Sequence, residues 1–353
     1  MKGIILHGGH GTRLGPLTRA CPKQLLPIAN KPMSQYALED LREIGITEIA
    51  IVVGDVYPEK VKKFYGDGSK FGINITYIQQ DKPEGISHAI KLCQRFVGND
   101  RFIVYLGDNV LQEGLVDHTR KFQSSKLDAM ILLCEVDNPS QFGIVEMNGK
   151  KIKKIIEKPK NTTSNLAVIG VYFLTPKIFE SIDKLKPSWR GELEITEALE
   201  LMMEDGNTIE YDMITGGWKD LGTTEDMLHA NKLVLDSIGT SDQFLLQDGS
   251  HIQGNVVIGK NSTISQDSFI TGPLIIGDNC DIGPAVRIGP HVSIGNNCII
   301  KQCTIENSII MSDCKIDAKI AIVYSIVAHN SKIVNSHLER YQFLLGEGSQ
   351  VRL

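Results

Sequence analysis

The chain has 353 residues, with 37 Lys and Arg against 42 Asp and Glu for a formal net charge of −5. That length supports a full core and two domains, and the mild acidity without any long basic block argues against nucleic acid as the main partner. No apolar run approaches the roughly 20 residues of a membrane span. The first residues already read as a strand rather than a leader. Seven cysteines (Cys21, Cys93, Cys134, Cys280, Cys298, Cys303, Cys314) are scattered without CxxC pairing, so a cytoplasmic protein with reduced thiols is expected.

In chain order, the apolar run Gly3–Leu6 leads into HGGHGTRL at His7–Leu14, then PKQLLPIANKPM at Pro22–Met33. A strand followed by a glycine loop, an Arg and a Lys describes a backbone cradle for a polyphosphate. Gly8, Gly9 and Gly11 let the main chain pass close to phosphates. Thr12 adds a hydroxyl, Arg13 a planar fork and Lys23 a compact charge. The spacing matches neither the Rossmann fingerprint nor the Walker A motif. A nucleoside triphosphate is the expected ligand.

Up to residue 239 strand-like runs (49–53, 75–78, 102–106, 129–135, 153–156, 168–173) alternate with helix-like ones (33–44, 86–97, 194–203, 224–238). This is an α/β pattern with a mostly parallel, Rossmann-like sheet and helices on both faces. Gly107-Asp108-Asn109 closes one strand, so Asp108 either points into a ligand crevice or caps a following helix. Asp220 sits in the glycine-bracketed GGWKDLGT, and two such carboxylates suit one Mg²⁺. Glu157-Lys158-Pro159 follows a strand, as a fixed turn or as a solvated loop of mixed charge. Arg190 precedes a helix and could meet a phosphate, while Glu192 and Glu194 read equally well as ordinary first-turn acids. Gln24 and Gln80 carry amides able to read a pyrimidine edge, and Gly85 leaves room for a flat ring. His7, His10 and His88 lack metal-ligand spacing, and no nucleophile–base set stands out.

From Ile252 to Ile300 an isoleucine recurs every sixth residue without a break. That period fits a solenoid of short strands, three hexads to a triangular coil. The register slips at Ile305, recovers at Ile310 and Ile316, and blurs through 320–333. The flat faces of such a prism suit a homo-oligomer. The expected layout is a catalytic domain over 1–239, a linker over 240–250, the solenoid over 251–338 and a capping tail over 339–353.

Taken together, GGHGTRLGPLT, PKQLLPIANKPM, QQDKPEGISHA, YLGDN, FGIVE, EKP, RGELEIT, GGWKDLGT and the hexapeptide region with its YQFLLGEGSQVRL tail resemble the sugar-1-phosphate nucleotidyltransferases. The layout is most like the long thymidylyltransferase branch that acts on glucose-1-phosphate. The resemblance implies a left-handed β-helix, and transfer of a nucleotidyl group from dTTP to glucose-1-phosphate assisted by Mg²⁺. It assigns the triphosphate to Gly8, Gly9, Gly11, Thr12, Arg13 and Lys23. It gives the base to Gln24, Gln80 and Gly85, and the metal to Asp108 and Asp220. Gly143 and Glu157 match positions that hold sugar hydroxyls, and Lys158 and Arg190 positions that hold the sugar phosphate. Arg13, Lys23, Asp108 and Asp220 match the catalytic set. Two departures are His10 in the loop and Gly15 where an Arg is frequent. UTP in place of dTTP, N-acetylglucosamine-1-phosphate as acceptor, an added amino-sugar acetyltransferase, and a regulatory or scaffold protein that binds sugar nucleotides without turnover are the alternatives.

Overall fold

A computed structural model describes residues 1–9, 11–239 and 250–335. His10, residues 240–249 of the expected linker and the expected tail over 339–353 lie outside the described residues. Contacts divide the chain into two compact units. One comprises residues 1–10, 21–25 and 33–220, and the other residues 11–20, 26–32 and 221–353.

The first unit is built on nine strands: β1 (Lys2–His7), β2 (Glu48–Val53), β3 (Asn74–Gln79), β4 (Phe102–Leu106), β5 (Ala129–Glu135), β6 (Gly143–Asn148), β7 (Lys151–Glu157), β8 (Leu166–Leu174) and β9 (Ile209–Met213). Their order is β7-β6-β8-β4-β1-β2-β3, with β5 also on β8 and β9 on β5. The pairings run seven strands one way and only β7 and β8 the other. Its longer helices are α1 (Met33–Glu43), α2 (Pro58–Tyr65), α3 (Ile86–Leu92), α4 (Val116–Ser124) and α5 (Ile195–Glu204).

Side-chain alternation explains why β1 reads as unbroken hydrophobe. Ile4 and Leu6 pack in a core with Ala89 and Ile90 of α3 and Ala198, Leu199 and Met202 of α5. Ile5 packs in a second core with Leu38 and Leu41 of α1, Tyr65 of α2 and Phe122 of α4. A strand covered on both faces must be apolar at every position. The expected helix over 86–97 is broken: α3 stops at Leu92, Cys93 bonds back to Ile90 O, and a short helix resumes at Gln94–Val97.

In the second unit, three five-stranded sheets, every pairing parallel, wrap a prism. It is a left-handed parallel β-helix. Ile252, Ile270 and Ile288 stack 18 residues apart, as do Ile258, Ile276 and Ile294, and Ile264, Ile282 and Ile300. The later coils are shorter: Ile288 sits on Ile305, Ile294 on Ile310 and Ile300 on Ile316. Ile322, Val327 and Ile333 then complete the blurred stretch as inward positions. Corners use residues of positive φ, including Asn261, Asn279, Asn297 and Asp313, types that tolerate the left-handed region. Their side chains form a ladder, Asn261 to Asn279, Asn279 to Asn297 and Asn297 to Asp313.

Helix α6 (Thr224–Asp236) also belongs to this unit and starts on a capping box formed by Thr223 and Asp226. Its buried Asn231 accepts from Ala29 N and Ser293 Oγ at 2.9 Å each. Among the described residues no helix is long and apolar enough to cross a membrane.

Candidate functional site

In the sheet, the chain steps outward from β1 through β2 to β3, then returns to place β4 on the other side of β1. The carboxyl ends of β1 and β4 therefore flank the point where strand order reverses, the usual ligand crevice of an open α/β sheet. Gly8 and Gly9 leave β1 there, and Gly107 and Asp108 leave β4.

Two cavities of about 220 Å³ each open at this point. The first is lined by Gly8, Gly9, Gln80, Gly85 and Asp108 with Pro83, Ile86 and Leu106. The second is lined by Asp108, Gly143, Glu157, Lys158, Arg190 and Asp220 with Asn109, Tyr172, Glu194, Thr196 and Trp218. They share Ile86, Leu106, Asp108 and Glu192. Asp108 thus faces both chambers.

Lys23 is buried and ion-paired, its Nζ 2.7 Å from Asp108 Oδ2. Asn109 Nδ2 donates to the other oxygen, Oδ1, at 3.0 Å. Asp108 caps no helix: a strand, Asn109–Leu111, follows it, and α4 begins only at Val116. That short strand pairs antiparallel with Trp218–Asp220, setting Asn109 opposite Asp220. Two carboxylates separated by more than a hundred residues thereby come to one cavity.

Gln80 reaches Gly85 O at 3.3 Å and His88 Nδ1 at 3.2 Å along the first chamber. Gly85 has φ +104°, and a Cβ there would lie 2.5 Å from Leu193 O, so only glycine fits. Gln24 is buried and donates to Gly8 O at 2.8 Å, bracing the loop from behind rather than lining the cavity. Gly11, Thr12 and Arg13 group with the second unit, where the Arg13 guanidinium packs against Gly222. His7 packs edge-on to Tyr65 at 6.0 Å. Burial lowers its pKa to about 3, and both ring nitrogens lack a partner among the described residues.

In the second chamber Arg190 is surrounded by acids, with Glu192 at 2.9 Å, Glu194 at 3.3 Å and Glu157 at 3.4 Å. Glu194 is buried and also accepts from Ser188 Oγ, so it is no solvated first-turn acid. Glu157 is no open loop residue either: Thr196 Oγ1 donates to it at 3.3 Å. Burial, then the neighbouring Glu194, pushes its carboxyl pKa up, opposed by Lys158 and Arg190. A Cβ on Gly143 would meet Thr196 Cγ2 at 2.6 Å and Glu157 Oε2 at 3.3 Å. Lys158 stands at φ 41° with its N–H on Phe142 O.

Carboxylates outnumber cations on this wall: Asp108, Glu157, Glu192, Glu194 and Asp220 against Lys158 and Arg190. Among the described residues no group of three or more His, Cys, Asp or Glu is arranged to hold a metal ion. Two carboxylates lining one cavity still suit Mg²⁺, which prefers oxygen ligands and completes its shell with water and phosphate.

Sequence reasoning passes over Asn109, Tyr172, Trp218 and Thr196. Asn109 is the hub: its Oδ1 also accepts from Trp218 Nε1 at 2.7 Å and Gly170 N at 3.2 Å. The signal for Asn109 and Trp218 is adjacency to Asp108 and Asp220.

Residues 2–237 match the family model described as "Nucleotidyl transferase", and residues 270–352 match "GMPPB C-terminal domain". The chain is 42% identical to the low-salt glycan biosynthesis nucleotidyltransferase Agl11 of Haloferax volcanii, over 100% of both chains. It is 39% identical to a glucose-1-phosphate thymidylyltransferase of Streptomyces antibioticus, over 100% of this chain and 99% of that one. A Bacillus anthracis crystal structure, described as a candidate glucose-1-phosphate thymidylyltransferase with a sucrose, is 41% identical. It superimposes with a TM-score of 0.64, covering 69% of this chain and 98% of that one. The chain belongs to the sugar-1-phosphate nucleotidyltransferase family.

Proposed function

We propose that the protein transfers a thymidylyl group from dTTP to glucose-1-phosphate, giving dTDP-glucose and pyrophosphate. The observation that carries this reading is the pair of joined chambers sharing Asp108. One has a glycine loop and an amide for a base and phosphates, and the other has acids and cations suited to a sugar phosphate. The thymidine and the glucose come from the relatives, described as glucose-1-phosphate thymidylyltransferases.

In this mechanism the phosphate oxygen of glucose-1-phosphate attacks the α-phosphorus of dTTP in line. The bond to the bridging oxygen breaks, and pyrophosphate leaves with its electron pair. The attacking oxygen is already ionised, so no general base is required. The barrier is alignment and repulsion between two anions. Gly8 and Gly9 offer backbone N–H groups, Gln80 reads the pyrimidine edge, and Gly85 gives the ring its space. Glu157 accepts sugar hydroxyls. Lys158 and Arg190 hold the sugar phosphate, and Arg190 exchanges carboxylate partners for it. Lys23 fixes Asp108 and lowers the negative field. Asp108 and Asp220 would hold Mg²⁺, which when bound neutralises phosphate charge. For Gly11, Thr12 and Arg13 the triphosphate role rests on the motif, and for Gln24 the base contact does too.

Pyrophosphate release measured across dTTP, UTP, ATP and CTP with a panel of sugar-1-phosphates tests this directly. The expected result is the highest kcat/KM for dTTP with glucose-1-phosphate. Thymine and uracil differ by one methyl, worth about 1 kcal/mol in a pocket. A preference for UTP, or for an amino-sugar phosphate, would overturn the assignment.

A further inference from the structure

The ribbon that brings Asp108 to Asp220 is locked at its far end. Beyond Leu111 the ladder continues, with Gln112 N on Gly217 O at 2.8 Å and Gly217 N on Gln112 Oε1 at 3.0 Å. Glu113 then takes four contacts from the loop ahead of Trp218. Thr215 N reaches both oxygens at 3.1 Å, Thr215 Oγ1 lies at 2.6 Å, and Gly216 N lies at 2.9 Å. Behind it stands buried His118, with Nε2 3.3 Å from Glu113 Oε1 and Nδ1 2.7 Å from Asp212 Oδ2. Asp212 is on β9, and Lys121 also reaches it at 3.1 Å. The segment leading from β9 to Asp220 is thus gripped before and after its bend.

We propose that Glu113, oriented by His118, is a positioning residue that sets Asp220 against Asp108. Glu113 lines neither chamber. It acts by fixing the strand Trp218–Asp220 through the loop Thr215–Gly217. A carboxylate fits the task because all three groups facing it from the loop are donors. An amide would turn an NH₂ toward one of them. The proposal rests on Asp108 and Asp220 being the pair that holds a divalent cation.

The test uses Mn²⁺ as the probe, its binding followed by electron paramagnetic resonance on the full-length protein with dTTP and no sugar phosphate. Glu113→Gln should weaken Mn²⁺ binding severalfold, less than the roughly tenfold or more lost with a direct hydrogen-bond partner of a metal ligand, because it acts on Asp220 only through the loop Thr215–Gly217. Glu113→Asp should lie between it and the parent. Trp218 gives a metal-free readout. In a Trp189→Phe background, which removes the other tryptophan, Glu113→Gln should shift its emission to the red. If Glu113→Gln folds poorly, Thr215→Val removes one hydroxyl donor and should move both signals the same way, less far. Unchanged Mn²⁺ affinity and emission alongside a lowered melting temperature would overturn the proposal, leaving Glu113 a stability residue only. Asp220→Asn is the reference. If it also leaves Mn²⁺ binding intact, the carboxylate-pair reading falls and takes the clamp with it. If it abolishes binding while Glu113→Gln does not, only the clamp falls.

Discussion

The sheet unit and the β-helix solve opposite problems with similar apolar residues. In the β-helix each coil stacks on residues 16 to 18 positions away, so every isoleucine meets its partner by local repetition. In the sheet unit the chambers draw on Gly8, Gln80, Asp108, Gly143, Glu157, Arg190 and Asp220, and the topology does the gathering. Repetition makes a rigid prism with little means of converging unlike side chains. A sheet whose strand order reverses makes a crevice by construction. Stability and chemistry should accordingly respond to different substitutions in the two units.

The largest expected effect separates them most sharply. Asp108→Asn changes charge at nearly constant size and should lower turnover by about 10²–10³-fold, in the range of losing one key electrostatic group. Buried Lys23 loses its ion-pair partner in this variant, so the circular-dichroism melt should fall as well, while the native spectrum at 25 °C is kept. Retained pyrophosphate release at saturating Mg²⁺ would break the comparison on the catalytic side. The converse substitution is Ile282→Ala, at a position with no exposure in the prism. It should cost about 3 kcal/mol as a core cavity, read by urea unfolding, while kcat at 25 °C stays at the parental value. A change in kcat would show that the prism does more than fold.

A smaller effect is expected at the corners. Asn297 has φ 58° and its Nδ2 donates to Asp313 Oδ1 at 2.9 Å. Asn297→Ala loses that bond and a residue type suited to the left-handed region, for about 1 kcal/mol. Asn297→Gly should recover part of it. The smallest effect is a slope with pH. Burial raises the Glu157 pKa above 4.5, so the folded chain keeps a proton that the unfolded chain has released. Stability then falls as pH rises from about the unfolded value through the raised folded value. Glu157→Gln should flatten that fall, measured as unfolding free energy against pH. An identical slope in the variant would mean that Arg190 and Lys158 fully offset the burial.

The sites legible in the amino-acid order are those that announce themselves in one segment. The glycine loop, the acid closing β4 and the Glu-Lys-Pro turn each pair a strand end with a special backbone. What stays hidden depends on distant partners. Nothing local says that the Gln24 amide donates to Gly8 O, or that Arg190 is held by three acids. Strand β9 alternates apolar and polar residues over Ile209–Met213, and α2 sets Val61, Phe64 and Tyr65 at helical spacing, but each run is so short and polar that only its neighbours mark it as a covered edge or face.

The sequence by itself determined the isoleucine prism, because a six-residue period has one economical solution in which every repeat meets its own copy. It also determined the alternation of strands and helices, since strands covered on both faces must be apolar throughout. Tertiary structure alone decided that Asp108 and Asp220 share a cavity and that Asn109 joins them to Trp218. It also decided that Glu113 and His118 stand behind their ribbon. Those relations depend on which strands become neighbours, and pairing across a hundred residues leaves no periodic trace in the chain.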